Sequence, residues 1–334
     1  MNSRIKIQNL KFTLLLQALL LALSFPAEAQ QPGKIFRIGF LDASTASGMA
    51  VLLDAFRQEM SKLGWIEGKN FTIEYRFAEG KNDRLPELAA DLVRLKVDLI
   101  VVSGPPAFAA KKATATIPIV MATAADPVGA GLVASLAQPG GNVTGLATLS
   151  PELNTKRLEI LKDAVPGLAR VGLLWLPGTG VGQDLQMKEL RPAAPALKLK
   201  LEEIETKADA KSLDSAFQTA KQKQVGAIMT TASRQFFAER KRIVELATKF
   251  RLPSIYFQRE FVDEGGLMSY GADYDDLFRK AAHYVDKILK GTKPADLPVQ
   301  QATKFEFVIN PKAAKQIGLT IPGRVLERAN KVIR

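Results

Sequence analysis

The sequence contains no cysteine and a single histidine, His283, among its 334 residues. The lack of cysteine excludes disulfides, and with one imidazole it comes close to excluding zinc, haem and iron–sulfur sites. A Ser-His-Asp or Cys-His catalytic set would need His283, which lies away from the apolar face of a predicted helix, and no Gly-x-Ser-x-Gly motif accompanies it. The sequence therefore predicts no metal, no cofactor and no catalytic residues.

Long apolar runs are also scarce, and the one near the N-terminus is short. The run Leu14–Leu23 follows three basic residues and precedes Ala27-Glu28-Ala29, an A-x-A cleavage site. This order is typical of a secretory signal peptide, which we place at residues 1–29, because the run is too short to span a bilayer comfortably. Without a cysteine for lipid attachment, retention near the cell requires a second membrane. The sequence therefore predicts a soluble protein exported to the periplasm.

The net charge of +12 is not concentrated in a basic tract. Lysines and arginines are spread along the chain singly or in pairs, and no basic run is interleaved with aromatic residues. This pattern predicts a solvated basic surface and no nucleic-acid partner. An attraction to anionic ligands or to acidic partner surfaces stays open.

Three short apolar runs rich in β-branched residues organise the first half of the chain: Val97–Ser103, Ile117–Thr123 and Val143–Thr148. Continuous apolar runs of this length indicate parallel strands buried on both faces. Strands and helices alternate at about 30 residues per unit, as in right-handed βαβ crossovers, and the same order of elements repeats in the second half. The sequence predicts an α/β fold of two doubly wound parallel-sheet lobes.

The predicted lobes are residues 34–147 and 148–268. A C-terminal segment, 269–334, begins with the amphipathic helix Tyr274–Leu289 and comes too late to start a third domain. We expect it to return to the lobes, mainly to the first, so that the chain crosses between them more than once. Multiple crossovers make a hinge, and the cleft between the lobes is the expected ligand site.

One stretch imitates a nucleotide-binding motif. Gly178-Thr179-Gly180-Val181-Gly182 follows a predicted strand. A dinucleotide fingerprint, G-x-G-x-x-G, requires its third glycine at position 183, but Gln183 stands there and the third glycine comes one residue early. The helix that follows is expected to be interrupted at Pro192 and Pro195. No Walker-type motif is present, so the sequence predicts no nucleotide cofactor.

Polar and aromatic residues follow the carboxyl ends of the predicted strands, the edge where ligands bind in open α/β sheets. The candidate ligand-binding residues are Asp42, Ser44, Ser103, Gly104, Asp126, Trp175, Thr230, Thr231, Tyr256 and Tyr270. Free amides at the helix starts after Ser44 and Gly104 are expected to hold an anionic group such as a carboxylate. The three aromatic residues either stack on the ligand or pack in the core, and Asp126 either binds ligand or forms a turn; both alternatives stay open.

Several segments at consistent spacing carry a resemblance to a known family. They are Gly104–Ala107, Thr116–Val120, Asp126–Val133, Pro139–Gly145, Lys156–Glu159 and Tyr270–Tyr274. From about Arg37 onwards the chain resembles the periplasmic solute-binding proteins of ABC importers, in the group whose characterised members bind tryptophan and other aromatic amino acids. The resemblance implies a type I periplasmic-binding fold joined by three crossovers, a small-molecule ligand, no enzymatic activity, an inner-membrane permease as partner and a monomeric state.

Two departures from the family pattern make the expected cleft less polar. Pro105 stands where the family often has threonine or serine, and Leu176 where it often has asparagine. The expected ligands are therefore an aromatic or apolar amino acid or a related small organic acid. A ligand-sensing module for a signalling partner and an exported hydrolase that uses carboxylates remain alternatives at this stage.

Overall fold

Two β-sheets, each covered by helices on both faces, make up the part of the chain that the computed structural model describes, residues 34–148, 150–178 and 181–333. The predicted signal peptide lies outside these residues. The stretch Phe36–Arg334 is one compact unit. Within the described residues no helix is both long enough and apolar enough to cross a membrane.

The strands follow one another in chain order as β1 (Phe36–Asp42), β2 (Phe71–Phe77), β3 (Leu99–Ser103), β4 (Ile119–Thr123), β5 (Val143–Ala147), β6 (Arg170–Trp175), β7 (Lys200–Glu205), β8 (Ala227–Thr230), β9 (Ser254–Tyr256), β10 (Met268–Ala272), β11 (Gln300–Gln301), β12 (Phe305–Ile309) and β13 (Lys331–Val332). The helices are α1 (Ala46–Lys62), α2 (Leu85–Arg94), α3 (Pro106–Ala113), α4 (Ser150–Ala164), α5 (Val181–Ala196), α6 (Ala210–Gln222), α7 (Arg234–Ala238), α8 (Arg240–Lys249), α9 (Glu260–Asp263), α10 (Tyr274–Leu289), α11 (Pro311–Ile317) and α12 (Gly323–Leu326). Single 3₁₀ turns occupy Asn82–Arg84 and Pro294–Asp296.

The first lobe is built on a six-stranded sheet in the order β11-β5-β4-β3-β1-β2, and all its pairs are parallel. Strand β3 shows why a continuous apolar run suits this position. Leu99 and Val101 enter the core on one face of the sheet, while Ile100 and Val102 enter a separate core on the other. Because successive side chains of a strand point to opposite faces, a strand covered on both sides must be apolar throughout.

The second lobe is built on a seven-stranded sheet in the order β13-β12-β10-β9-β8-β6-β7. Only β10 and β12 pair antiparallel within it. The strand β8 alternates in the same way as β3, with Met229 in one core and Ile228 in the other. The predicted α/β fold of two doubly wound lobes is confirmed.

The C-terminal segment is divided between the lobes, which corrects the expectation that 269–334 packs mainly on the first. Helix α10 and strand β11 do belong to the first lobe, where Phe278 is buried in the core against α1. Strands β12 and β13 and helix α11 extend the second lobe, with Phe307 and Ala313 in its core. The reason is the antiparallel pairing of β12 with β10, which carries everything after it to the edge of the second sheet.

The chain passes between the lobes three times, after β5, after β10 and after β11. The crossing segments are hydrogen-bonded to one another. The amide of Asp273 donates to the carbonyl of Lys304 at 3.0 Å, and the amide of Ala302 donates to that of Ala147 at 2.7 Å. The predicted multi-crossover hinge is therefore present, and its crossing segments lie side by side.

Helix α5 continues where the sequence predicts an interruption. It spans Val181–Ala196 with Pro192 and Pro195 inside it. Both prolines lie in the last two turns, and Pro192 and Pro195 are exposed, so the lost hydrogen bonds and any distortion fall on the solvent side of the helix.

Gly145 is a position where the fold requires glycine. Its φ of +131° lies in a region that other residues rarely adopt, and a Cβ there would lie 2.6 Å from the backbone nitrogen of Met121 and collide with its carbonyl oxygen. We expect Gly145→Ala to lower the free energy of unfolding by about 3 kcal/mol or more, measured by urea denaturation, or to abolish soluble expression. Gly141→Ala, a matched control with open space around its Cβ, is expected to change stability by less than about 0.5 kcal/mol. Equal denaturation midpoints for the two variants would contradict this role.

Candidate functional site

A cavity of about 390 Å³ lies between the two lobes. Its walls are the segments that follow the carboxyl ends of β3 and β4 in the first lobe and of β8 and β9 in the second, together with the start of α5. This is the edge at which ligands bind in parallel α/β sheets, so the structure places the predicted cleft where the sequence analysis expects it.

The first-lobe wall is mainly apolar. It is formed by Leu85, Pro105, Phe108, Ala124 and Leu132, among others. Pro105 occupies the start of α3, as the sequence indicates. The surface therefore suits a ligand with an apolar or planar body.

Two of the candidate residues of the first lobe line the cavity, and three do not. Gly104 and Asp126 are part of the wall. Asp42, Ser44 and Ser103 are fully buried and do not line it. The Ser103 hydroxyl lies 2.7 Å from the hydroxyl of Thr123, which does reach the cavity, so Ser103 contacts the wall from behind.

The expected anion site at the start of α3 is wrong. The amide of Gly104 donates to the carbonyl of Thr123 at 2.9 Å, and Pro105 and Pro106 have no amide hydrogen to offer. The amide of Ser44 is also used, because it donates to Oδ1 of Asp42 at 2.7 Å. The amides of Gly104 and Ser44 are therefore used within the fold.

The three candidate aromatic residues pack inside the second lobe and do not line the cavity. Tyr256 is fully buried and stacks on Phe261 at 4.5 Å between ring centroids. Trp175 lies in the core, and Tyr270 packs edge-on against Phe307 at 6.2 Å. The core-packing alternative therefore holds for these residues.

The aromatic surface of the cavity comes instead from Phe108, Phe257 and Tyr274, which the sequence analysis missed. Phe257 immediately follows Tyr256 at the end of β9. Phe257 is itself only 2% exposed and packs in the same core cluster as Tyr256, but it also reaches the cavity wall, which Tyr256 does not. The sequence identifies the pair but does not say which member faces the ligand.

Thr230 and Thr231 lie behind the cavity wall, and the loop that follows them forms part of it. The hydroxyl of Thr231 donates to Oε1 of Gln183 at 2.7 Å. The amide of Ala232 donates to Oε1 of Gln186 at 2.7 Å, and Nε2 of the same glutamine donates back to the Ala232 carbonyl at 3.0 Å. These bonds fasten the loop after β8 to the start of α5, the region that imitates a nucleotide motif.

Arg234, which the sequence analysis also missed, is the charged residue that the second lobe brings to the cavity. Only 5% of its surface is exposed. Its guanidinium carbon lies 5.5 Å from the ring centroid of Phe237 and 5.1 Å from that of Tyr274 on the first lobe. The sequence did contain a signal for this residue. A positive charge in the first turn of a helix interacts unfavourably with the helix dipole, so an arginine at that position indicates a role other than stabilising the helix.

Asp42 is a fully buried acidic residue whose carboxyl group interacts electrostatically with this arginine. Burial raises the pKa of its carboxyl to about 6, and the nearby positive charge of Arg234 and the hydrogen bond from the Ser44 amide oppose that rise. Its Oδ2 has no hydrogen-bond partner among the described residues. The carboxylate is therefore held in a poorly solvated position under the sheet edge.

Two α/β lobes that enclose a cavity beside a three-crossover hinge form the type I periplasmic-binding fold. The sequence model of the family described as ABC transporter substrate binding protein matches residues 45–333, and the chain belongs to this family. Its relatives include binding proteins, not enzymes. The chain is similar to the tyrosine-binding protein of Clostridioides difficile strain R20291, with 28% identity over 268 residues, 79% of this chain and 75% of that protein.

Two crystal structures show the same architecture. A conserved domain protein from Vibrio cholerae O1 biovar El Tor is 30% identical, with a TM-score of 0.82, over 90% of this chain and 100% of that one. The ABC domain from Streptococcus pneumoniae in complex with L-Trp is 27% identical, with a TM-score of 0.81, over the same shares of the two chains.

The raised pKa of Asp42 predicts a pH dependence of stability. The folded protein holds this proton more tightly than the unfolded chain, whose aspartate has an ordinary pKa of 3.8. The contribution of the group to stability is therefore greatest below about pH 4 and falls until about pH 6. We expect the stability of Asp42→Asn relative to the unmodified protein to rise by up to about 3 kcal/mol between pH 4 and pH 7, measured by urea denaturation.

The exposed Asp83→Asn substitution is the matched control for loss of one negative charge. It is expected to leave the pH profile of stability unchanged. A stability difference for Asp42→Asn that stays flat or falls over this range would show that burial does not disfavour the charged carboxylate.

Proposed function

We propose that this protein is a periplasmic receptor that captures a small molecule between its lobes and delivers it to an ABC importer in the inner membrane. The observation that carries the proposal is the inter-lobe cavity of about 390 Å³ at the sheet edges. Its volume lies in the range of roughly 300–1,000 Å³ that is usual for small-molecule sites. The ligand class we propose is an aromatic or apolar amino acid or a related small organic acid.

The character of the wall supports this ligand class. Phe108, Phe257 and Tyr274 offer aromatic surface, and Arg234 offers a positive charge at one side. A molecule with a planar or apolar body and one anionic end complements both features. The names of the tyrosine-binding and L-Trp-bound relatives point to the same class.

Capture depends on contacts with both lobes. A ligand in the cavity touches residues after β3 and β4 on one side and after β8 and β9 on the other. It therefore favours the conformation in which these edges are close, and the three-crossover hinge allows the lobes to separate without it. Export through the predicted signal peptide at residues 1–29, with a single copy of the chain as the functional unit, completes the proposal.

The alternatives from the sequence are distinguished by the same site. A hydrolase would need a pair of acidic side chains across the cleft. Among the described residues that line the cavity, Asp126 is the only acidic one, and His283 is exposed on α10, 3.1 Å from Glu59. A sensor for a signalling partner would share the capture step, and reconstituted uptake with the importer separates the two roles.

A thermal-shift screen of residues 30–334 tests ligand capture. It covers aromatic and branched amino acids, small organic acids, nucleosides and sugars. A ligand at 100 times its Kd stabilises the folded state by about 2.7 kcal/mol, which raises the Tm by several degrees. Small-angle scattering with the best ligand is expected to show a more compact particle. Binding without compaction would contradict capture by closure.

Filling the cavity tests its position. Ala109 on α3 lines the cavity, and Ala109→Trp is expected to abolish the thermal shift of every ligand found, because the indole occupies the space the ligand needs. Ala115→Trp places the same side chain at an exposed position just after α3 and is expected to leave binding unchanged. Unaltered affinity in the folded Ala109→Trp protein would place the ligand elsewhere.

A further inference from the structure

We propose that Arg234 anchors the carboxylate of the ligand, and that the cavity selects carboxylates without an ammonium group over the corresponding amino acids. The inference rests on the proposed function and names its substrate class more narrowly. It is carried by a buried cation on the cavity wall whose Nη1 has no hydrogen-bond partner among the described residues, and by the scarcity of acidic side chains among the described residues of that wall.

The first step is the state of Arg234 itself. It is 95% buried, it lines the cavity, and its Nη1 has no hydrogen-bond partner among the described residues. A buried guanidinium with an unmet hydrogen bond is costly, because the ring contacts and the charge of Asp42 replace only part of its lost hydration. An anionic group in the cavity compensates the charge from the side of Arg234 that lines the wall.

The second step is the way the guanidinium is held. The rings of Phe237 and Tyr274 lie 5.5 and 5.1 Å from its central carbon, on the second and first lobes respectively. Contacts with ring systems hold a guanidinium in place but do not satisfy its N–H groups. Those groups match the two oxygens of a carboxylate, which accepts two parallel hydrogen bonds from an arginine fork.

Asp42 does not take that place. It interacts with Arg234 through space, but Oδ1 of Asp42 accepts the amide of Ser44, and Oδ2 is itself without a hydrogen-bond partner among the described residues. Two groups that both lack a partner are not bonded to each other. Asp42 therefore compensates part of the positive charge of Arg234 through space and leaves its N–H groups without a hydrogen bond to this carboxylate.

The third step concerns an ammonium group, for which the described residues of the wall offer a single acidic side chain. Asp126 is the acidic side chain on the wall, and its Oδ1 accepts the amide of Gly129 at 2.8 Å. Its Oδ2 lies so close over Gly129 that a Cβ there would overlap it. Asp126 therefore forms a turn, one of the two alternatives that the sequence left open, and its Oδ1 is engaged there.

Two neutral acceptors of the second-lobe wall are also occupied. Oε1 of Gln183 accepts the Thr231 hydroxyl, and Oε1 of Gln186 accepts both the Ala232 amide and Nδ2 of Asn154. On the first lobe, Asn82 has a buried Oδ1 without a partner, but this is a neutral acceptor and suits a hydroxyl or amide donor as well as a cation. Among the described residues of the wall, an α-ammonium would find only Asp126 as an anion, and Oδ1 of that residue already accepts the Gly129 amide.

The test uses matched series of small molecules that share a side chain and differ in charge. Each series contains a carboxylate, an amino acid and an amine: 3-phenylpropanoate, L-phenylalanine and 2-phenylethylamine for the benzyl series, with indolylmethyl and isobutyl series built alike. Calorimetric titration of residues 30–334 is expected to give the tightest binding for the carboxylate, about tenfold tighter than the amino acid, and none for the amine.

Variants assign the effect to the arginine. Arg234→Gln is expected to weaken carboxylate binding about 100-fold, since removing one partner of a buried charged pair costs that much, and Arg234→Lys to recover only part of it. Without ligand, Arg234→Gln is expected to lower the Tm more at pH 7 than at pH 4, because the buried Asp42 carboxylate loses the nearby positive charge that favours it. A purely structural role of Arg234 would leave the carboxylate affinity of the folded variant unchanged.

Arg240→Gln is the matched control. Arg240 lies 4.9 Å from the same Phe237 ring but does not line the cavity, so carboxylate binding should stay within about twofold. Carboxylate binding that survives in Arg234→Gln, or amino acids that bind more tightly than their carboxylates, would overturn the anchor and leave the receptor function standing. If no member of any series binds the unmodified protein, the proposed ligand class falls and the anchor falls with it.

Discussion

All the strands of a parallel sheet have their carboxyl ends at the same edge, and the cavity forms where the edges of the two sheets face each other. In the first lobe the segments after β3 and β4 meet at that edge, and in the second lobe those after β8 and β9 do. Three crossings of the chain, joined by hydrogen bonds such as that from Asp273 to Lys304, keep the two edges opposed. Wall, hinge and opening therefore depend on one topological fact.

Within that geometry, hydrogen-bond saturation decides what the wall can offer. Gln186 is hydrogen-bonded to the loop after β8 and to Asn154, and Asp126 closes its own turn. Arg234 differs because ring contacts restrain it while its Nη1 has no partner among the described residues. In a largely apolar cavity we expect such a buried charge to contribute strongly to recognition, because protein hydrogen bonds do not fully replace its lost hydration.

The sequence located the right loops but often chose the wrong side chain in them. Gly104 and Asp126 line the cavity, whereas Tyr256 is enclosed in the core and its neighbour Phe257, packed in the same core, also reaches the cavity wall. Thr231 supports the wall that Arg234 lines. Which side chain of a loop reaches the cavity depends on what packs against the end of the sheet, and that comes from distant parts of the chain.

The sequence by itself determined the α/β class, because apolar runs such as Val97–Ser103 are stable only as strands covered on both faces. It also determined the chemistry that is missing, since a chain without cysteine and with one histidine has few routes to metal binding or nucleophilic catalysis. Only the tertiary structure decided which polar groups remain free for a ligand. Gln183 and Thr231 are 48 positions apart and form their hydrogen bond only once α5 and the loop after β8 are folded together. Three residues after Thr231, Nη1 of Arg234 finds no hydrogen-bond partner among the described residues.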